Sequence, residues 1–437
     1  MKALLVIESC NPEFSSVPLV GYQFYEQVSK FCDVTLVTHC RNREALEKVR
    51  GSREVVYITP GAFESFYYRV IVKLSTLRGQ VIWPLRHALQ FPIYHFFDKA
   101  VASLFRNRIK NGEFDLVHAM TPMMPRYPYS ISKYCHDVPF LMGPVNGGVP
   151  FPDAFKKTGR KEFSALYFLR SIGRWLIPGY HATYKRADLI LAGSTYTKDW
   201  IEKNLGVSKA KLNLMYENGV PDDFYSDLQE VNGERSDFQN DIRLLFVGRL
   251  EPYKGCDMLL EAIHKIVQES PHAHRLRLTV VGDGSQRAEL QKTSKDLDLE
   301  DIITFTGNIP HQEVAKQLSQ SDLFCFPSIR EFGGAVVMEA MACGSPCIVV
   351  DNGGIGEYVT EKDGIKIAPL GRKHVINALA KAITHLRDDP EARQRLSEQA
   401  RTRANEFSWN AKGKALSRIY SLLAAQKSEV GQIDQAS

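Results

Sequence analysis

Short apolar runs alternate with longer amphipathic stretches along this chain, and the alternation plays out twice with a polar break between. In the first series Ala3–Ile7, Val34–Val37, Val55–Ile58, Leu116–His118, Phe140–Met142, Leu189–Ala192 and Leu212–Leu214 read as strands, with Leu19–Phe31 and Glu44–Val49 as helices. A strand that is apolar at successive positions is covered on both faces, as in a parallel sheet between helical layers. Residues 222–241 (DDFYSDLQEVNGERSDFQND) are acidic and poor in apolar runs, as a linker is. The series then restarts with strands at Leu244–Val247, Leu276–Val281, Ile303–Phe305, Leu323–Phe326 and Pro346–Val350, and with helices at Met258–Glu269, Arg287–Leu297, Glu313–Leu318 and Ala335–Ala342. Helices follow over His374–His385, Pro390–Phe407 and Trp409–Ala425, before a polar tail expected to fray. The pattern predicts an α/β chain of two doubly wound, Rossmann-like domains. Their expected bounds are residues 1–221, a linker at 222–241, residues 242–407, and a closing helix and tail at 408–437. Ligands of such sheets bind beyond the carboxyl ends of the strands, so a facing pair frames a central cleft.

Composition narrows the class. With 44% apolar and 24% charged residues over 437 positions, the chain has ample core, which excludes a disordered, collagen-like or small disulfide-stapled protein. The net charge of +5 hides an asymmetry: residues 1–215 carry 29 Lys and Arg against 17 Asp and Glu, whereas residues 216–437 carry 26 against 33. Two parts with different partners are implied, one of them facing an anionic surface. The eight cysteines form no C-x-x-C and mostly sit in apolar runs, as buried free thiols do. The opening MKALLVIES has too short an apolar run for a secretory signal core, and no apolar stretch is long enough to span a bilayer. The expected compartment is the cytoplasm.

Several common chemistries lack their residues. The loop after the first strand has no G-x-G-x-x-G; Gly282-Asp283-Gly284 after a later strand has Arg287 at the third glycine position. No Walker lysine motif, His-Glu-x-x-His or Gly-x-Ser-x-Gly elbow occurs. Asp296-Leu297-Asp298 has the D-x-D spacing but lies at a helix exit among charges, as a solvated turn, and no metal site is expected.

The richest segment is Pro327–Glu357, PSIREFGGAVVMEAMACGSPCIVVDNGGIGE. It reads as a strand end, a glycine loop, a helix stopped at Gly344, a strand and a second glycine loop. Gly333 and Gly334 would leave amides free at a helix start, where the dipole favours an anion. Glu331 and Glu339 repel an anion but suit vicinal hydroxyls, such as those of a ribose or another sugar. Cations come from Arg249 and Lys254 in VGRLEPYKG, the loop after the first strand of this half. Together these residues describe a nucleotide-sugar site.

This half resembles the retaining GT-B glycosyltransferases of the group 1, or family 4, type. Glu331-x7-Glu339 matches their E-x7-E motif and GRLEPYKG their G-R-x-x-x-x-K-G loop. VGDGS, ENGV (Glu217–Val220), FPS (Phe326–Ser328) and GGIGE (Gly353–Glu357) agree as well. The likeness is strong over residues 180–425 and looser before that. It implies a GT-B architecture whose C-terminal helix crosses back to the first domain. It also implies a UDP- or GDP-sugar substrate with no cofactor and no metal, and same-face attack in which the leaving phosphate takes the acceptor proton. By the resemblance Arg249, Lys254, Glu331 and His118 are the catalytic candidates, although His118 at the end of its strand reads equally as a buried histidine. Glu339, Gly333, Gly334, Gly282, Asp283, Gly21 and Asn218 are the donor-binding candidates, and Asn146 and Gly147 the acceptor-side ones. Glu357 reads instead as a first-turn residue and His311 as a surface loop histidine. The chain departs from the pattern at three places: Glu331-Phe332-Gly333 replaces Glu-x-Phe-Gly, the first glycine loop is reduced to Gly21, and Met120 stands where many relatives have a second histidine after His118.

The basic half interleaves aromatic and basic residues over Ala62–Lys110, and again from Lys156–Phe163 to Leu169–Trp175. Such stretches suit peripheral contact at the inner face of a membrane, with a glycan or lipid-linked acceptor. Two readings of the same residues stay open: a basic helix face that is merely solvated, and a soluble small-molecule acceptor. No nucleic-acid motif occurs. A catalytically inactive binding subunit would have lost motif charges, and all four are present. An epimerase or hydrolase would need a water-activating or proton-abstracting residue that the sequence does not offer.

Overall fold

Both apolar series form parallel sheets. The computed structural model describes residues 1–77, 80–161, 173–221, 241–269 and 276–435, and the chain divides into two compact units. Met1–Gly148, Phe163–Glu217 and Lys412–Ser437 make the first; Val149–Glu162 and Asn218–Ala411 make the second. The linker expected at 222–241 lies, apart from Asp241, outside the described residues, as does the basic stretch between residues 162 and 172.

In the first unit the strands are β1 (Lys2–Ile7), β2 (Asp33–His39), β3 (Glu54–Ile58), β4 (Thr76–Leu77), β5 (Gln80–Val81), β6 (Leu116–Thr121), β7 (Phe140–Val145), β8 (Leu189–Ala192) and β9 (Leu212–Leu214). Among the described residues seven of them form one parallel sheet in the order β3-β2-β1-β6-β7-β8-β9, and β4 and β5 pair separately and antiparallel. Every residue of β6 and β7 is buried, which is why their sequence shows no polar alternation. Phe105, Phe114, Phe140, Tyr180 and Tyr184 fill the space between sheet and helices.

The second unit carries β10 (Ile242–Val247), β11 (Leu276–Val281), β12 (Ile303–Gly307), β13 (Leu323–Phe326), β14 (Cys347–Val350) and β15 (Gly364–Ile367). Its parallel order is β12-β11-β10-β13-β14-β15, the doubly wound arrangement in which the chain runs outward from β10 and then restarts beside it at β13. The loops after β10 and β13 diverge at that reversal. Arg249 and Lys254 follow β10, and Glu331 follows β13, so the sheet order delivers all three to one spot.

The structure places two stretches differently from the sequence expectation. Residues 149–162 group with the second unit although they follow a strand of the first, because the Val149 and Pro150 carbonyls accept hydrogen bonds from Arg330 (2.7 Å) and Asn352 (3.3 Å). The last helix runs Trp409–Gln435 instead of ending near Ala425. The stretch beyond Ala425 holds no proline, the residue that would have stopped the helix, and its Gly431 does not end it. From Lys412 onward this helix belongs to the first unit, where Tyr420 packs edge-on against Phe31 at 5.6 Å.

Candidate active site

The loops at the carboxyl edge of the second sheet are locked together by close backbone approaches. Gly248 N donates to Val281 O at 3.0 Å and Leu250 N to Asp283 O at 2.9 Å, tying the β10 loop to the β11 loop. Gly282 has φ +126°, and a Cβ there would lie 2.0 Å from Gly248 O. Gly353 has φ +83°, and its Cβ would lie 2.0 Å from Glu331 O. Neither position admits a side chain, which gives two of the motif glycines a steric reason. Ile329 N donates to Tyr253 O (2.9 Å) and Gly354 N to Glu331 O (3.1 Å), so the β13 loop is fastened to its neighbours on both sides.

Within this frame Lys254 is 8% exposed, and its Nζ pairs with Glu331 Oε2. The ammonium also lies 5.3 Å from the Tyr253 ring centre and 5.0 Å from that of Phe326. Arg249 is exposed in the same loop and donates from Nη2 to the Tyr253 hydroxyl at 2.7 Å. Gly334 caps the helix Ala335–Ala342 with φ +53°, and its carbonyl accepts from Val337 N at 3.0 Å, closing the first turn. Gly333 is buried beside it. Glu339, on that helix and 9% exposed, faces His311 Nε2 at 3.3 Å. Asp283 is exposed; the Gly284 amide (2.7 Å) and Arg287 (3.0 Å) hold its carboxyl below the usual range. Glu357 lies in the short helix Gly354–Tyr358, the first-turn position expected of it.

The remaining candidates lie elsewhere, and two take on different roles. His118 is fully buried in the first unit, its Nε2 2.7 Å from Gly143 O and its Nδ1 2.7 Å from the Tyr420 hydroxyl. A carbonyl can only accept, so Nε2 carries the proton. Burial pushes the imidazole pKa down to about 3, and the neutral Nδ1 accepts from Tyr420. No nitrogen and no surface remain for a substrate, so the expected catalytic histidine is a core tie between β6 and the last helix. Asn146, expected on the acceptor side, is 3% exposed and fully engaged: Nδ2 lies 2.8 and 2.7 Å from the two Glu217 oxygens, and Oδ1 lies 2.9 Å from the Ser194 and Thr197 hydroxyls. Gly147 joins this network through its amide, 3.1 Å from Thr197 Oγ1. Lys412, unremarked in sequence, lies buried near Glu217 and donates to Tyr216 O at 2.8 Å. Burial pulls its pKa down to about 7 against the pull of Glu217. Gly21 packs the first helix against β1, where a Cβ would meet Ser9 O at 2.2 Å. Asn218 is half-buried at the start of the second unit, two residues before the Val220–Ser408 bridge.

Two doubly wound parallel sheets, each with its own helices, define the two-domain α/β GT-B fold. A solved glycosyltransferase from Rickettsia africae ESF-5 matches with a TM-score of 0.62 at 17% identity, over 97% of this chain and 98% of that one. Anabaena HepE, solved in complex with UDP, matches at 0.59 and 16%, over 96% and 100%. The models for glycosyl transferases group 1 and for glycosyltransferase family 4 match residues 230–403 and 26–224, and the chain belongs to the group 1 glycosyltransferases. It is 32% identical to D-inositol 3-phosphate glycosyltransferase of Kineococcus radiotolerans over 40% of its own length, and spans less than half (43%) of that relative. It is 26% identical to glycogen synthase of Mycobacterium tuberculosis over 72% of this chain and 70% of that one.

Proposed function

We propose that this protein transfers a hexose-type sugar from a UDP- or GDP-sugar to an acceptor hydroxyl, retaining the anomeric configuration and using no metal ion. The pairing of Lys254 with Glu331 at the strand-order reversal carries the reading. A cation and a carboxylate neutralise each other there until a donor offers each a better partner, diphosphate oxygens to Lys254 and sugar hydroxyls to Glu331. As the anomeric C–O bond breaks, negative charge grows on the diphosphate. Lys254, Arg249 and the amides after Gly334 are already fixed to meet it. Glu339 holds the ribose hydroxyls. The leaving phosphate takes the acceptor proton, so no side-chain base is required. A thermal-shift series with UDP, GDP, ADP and their glucose or mannose esters tests the reading. At 100 times its Kd the correct ligand adds about 2.7 kcal/mol of stability. If none of the nucleotides raises the unfolding temperature, the donor site does not exist.

The acceptor belongs to polysaccharide, glycolipid or lipid-linked glycan synthesis in this reading, with the first unit resting on the inner face of a membrane. In support, the helix Ala62–Leu74 buries only Ile71 among its own residues. Phe63 (64% exposed), Phe66 (58%), Tyr68 and Leu74 stand out from it beside the exposed Arg69 and Lys73, and Phe96 (41%) meets Phe63 edge-on at 6.3 Å. No helix among the described residues is long and apolar enough to cross a membrane, so such contact would be interfacial. Vesicles containing phosphatidylglycerol should bind the protein in flotation, less so as salt is raised. Phe63→Ser with Phe66→Ser should weaken binding about a hundredfold or more, since each buried phenyl contributes about 1.5–3 kcal/mol. Indifference to both substitutions would return this face to an ordinary solvated helix.

A further inference from the structure

Arg330 immediately precedes Glu331, yet its side chain serves a different set of partners. Its guanidinium carbon lies 4.7 Å from the ring centre of Phe332 and 4.9 Å from that of Phe151, and its Nε donates to Val149 O at 2.7 Å. Asn352 fastens the same two segments, with Nδ2 3.3 Å from Pro150 O and 2.8 Å from Ile329 O. The stretch Val149–Phe151 is therefore seated on the loop that carries Glu331, across 181 residues of sequence. On its other sides that loop is held by Tyr253 and Gly354 through backbone hydrogen bonds. A planar guanidinium can stack on two rings while bonding a carbonyl in its own plane, which an ammonium cannot.

We propose that Arg330 is a positioning residue for the sugar half of the donor site: held between Phe151 and Phe332 and bonded to Val149 O, it fixes the backbone from which Glu331 reaches the donor sugar. The claim rests on Glu331 as the sugar ligand. It separates the two halves of the donor: the nucleotide half draws on Arg249, Gly282 and Glu339 besides Lys254, all of them on segments other than the backbone that Arg330 fastens to Val149, whereas the sugar half depends on Glu331 itself. Loosening the Arg330 clamp should therefore affect recognition of the sugar and leave the nucleotide bound.

Calorimetric titration of the full chain with UDP, UDP-glucose, GDP and GDP-mannose tests this, alongside the rate of donor consumption. Arg330→Met keeps the length of the stem and loses the charge and the fork. It should bind the free nucleotide within about twofold of the parent, bind the nucleotide sugar about tenfold more weakly, and consume donor about a hundredfold more slowly, the size of effect that a small misplacement of a reacting group produces. Arg330→Lys should fall between the two. Millimolar methylguanidinium should restore sugar affinity to Arg330→Ala and leave the parent unchanged. Phe151→Leu, which removes one face of the stack, should shift the balance the same way by a smaller factor. Equal losses for nucleotide and nucleotide sugar would reduce Arg330 to a general stabiliser, and no loss for either would remove it from the site; both overturn the proposal. If the parent itself binds none of the four ligands, the donor reading falls and this inference falls with it.

Discussion

Lys254→Met is expected to cut sugar transfer about a hundredfold or more, since removing one preorganised donor to a developing negative charge costs about 3 kcal/mol in comparable sites. The same substitution should also destabilise the second unit. The Lys254 and Glu331 side chains are only 11% and 14% exposed, so loss of the ammonium strands a carboxylate that water barely reaches. Breaking one side of a buried pair costs about 3–5 kcal/mol, whereas removing both charges leaves little penalty. Lys254→Met with Glu331→Gln should therefore regain most of the parent's resistance to urea while staying inactive. The pairing of stability recovered with activity lost is the signature sought. It distinguishes a residue that acts on substrate from one that merely holds the fold. Full donor turnover by the purified Lys254→Met protein would sink the assignment.

Gly353→Ala should be nearly as damaging by a purely steric route. The position has φ +83° and an added Cβ would sit 2.0 Å from Glu331 O, so the alanine either strains its own backbone or drives the Glu331 loop away. Backbone strain and overpacking together cost about 3 kcal/mol or more. Gly51→Ala supplies the control, because Gly51 has φ +59° and nothing within 4 Å of the added atom. Strain alone should cost about 1–2 kcal/mol there. Thermal unfolding of both variants, with nucleotide-sugar affinity measured in parallel, separates conformational strain from the clash. Equal losses of stability in the two would mean that the Glu331 loop yields freely.

Much of this was legible in the residues. The inner strands of both sheets could be read from runs such as LLVI and CIVV, because a strand buried on both faces leaves no other pattern; the edge strand Gly364–Ile367, short and only partly buried, was not read. The pairing of Lys254 with Glu331 could be anticipated because each belongs to a short glycine-bearing segment with its own spacing, VGRLEPYKG and Pro327–Glu357. The errors arose where a role depends on distant partners. His118 could be read as a catalytic residue or as a buried strand-end histidine, and the second reading holds because Tyr420, 302 residues away, takes its second nitrogen. Asn146 sits in a glycine-rich loop that read as cleft lining, and only the fold brings Glu217 to its amide. The capture of Val149–Phe151 by Arg330 had no local sign beyond an arginine two residues before a phenylalanine. His311 gave no sign of facing Glu339 either.

The first unit is assembled from three separate stretches of chain, and the last of them is made after every strand of the second unit. On the ribosome, the second unit is complete while the first still lacks the helix that brings Tyr420 to His118. Until that helix is in place, His118 Nδ1 lacks the Tyr420 hydroxyl from which it accepts in the complete fold. The order of synthesis is thus the reverse of the order of completion, and the first half of the chain must wait, unfinished, for the second.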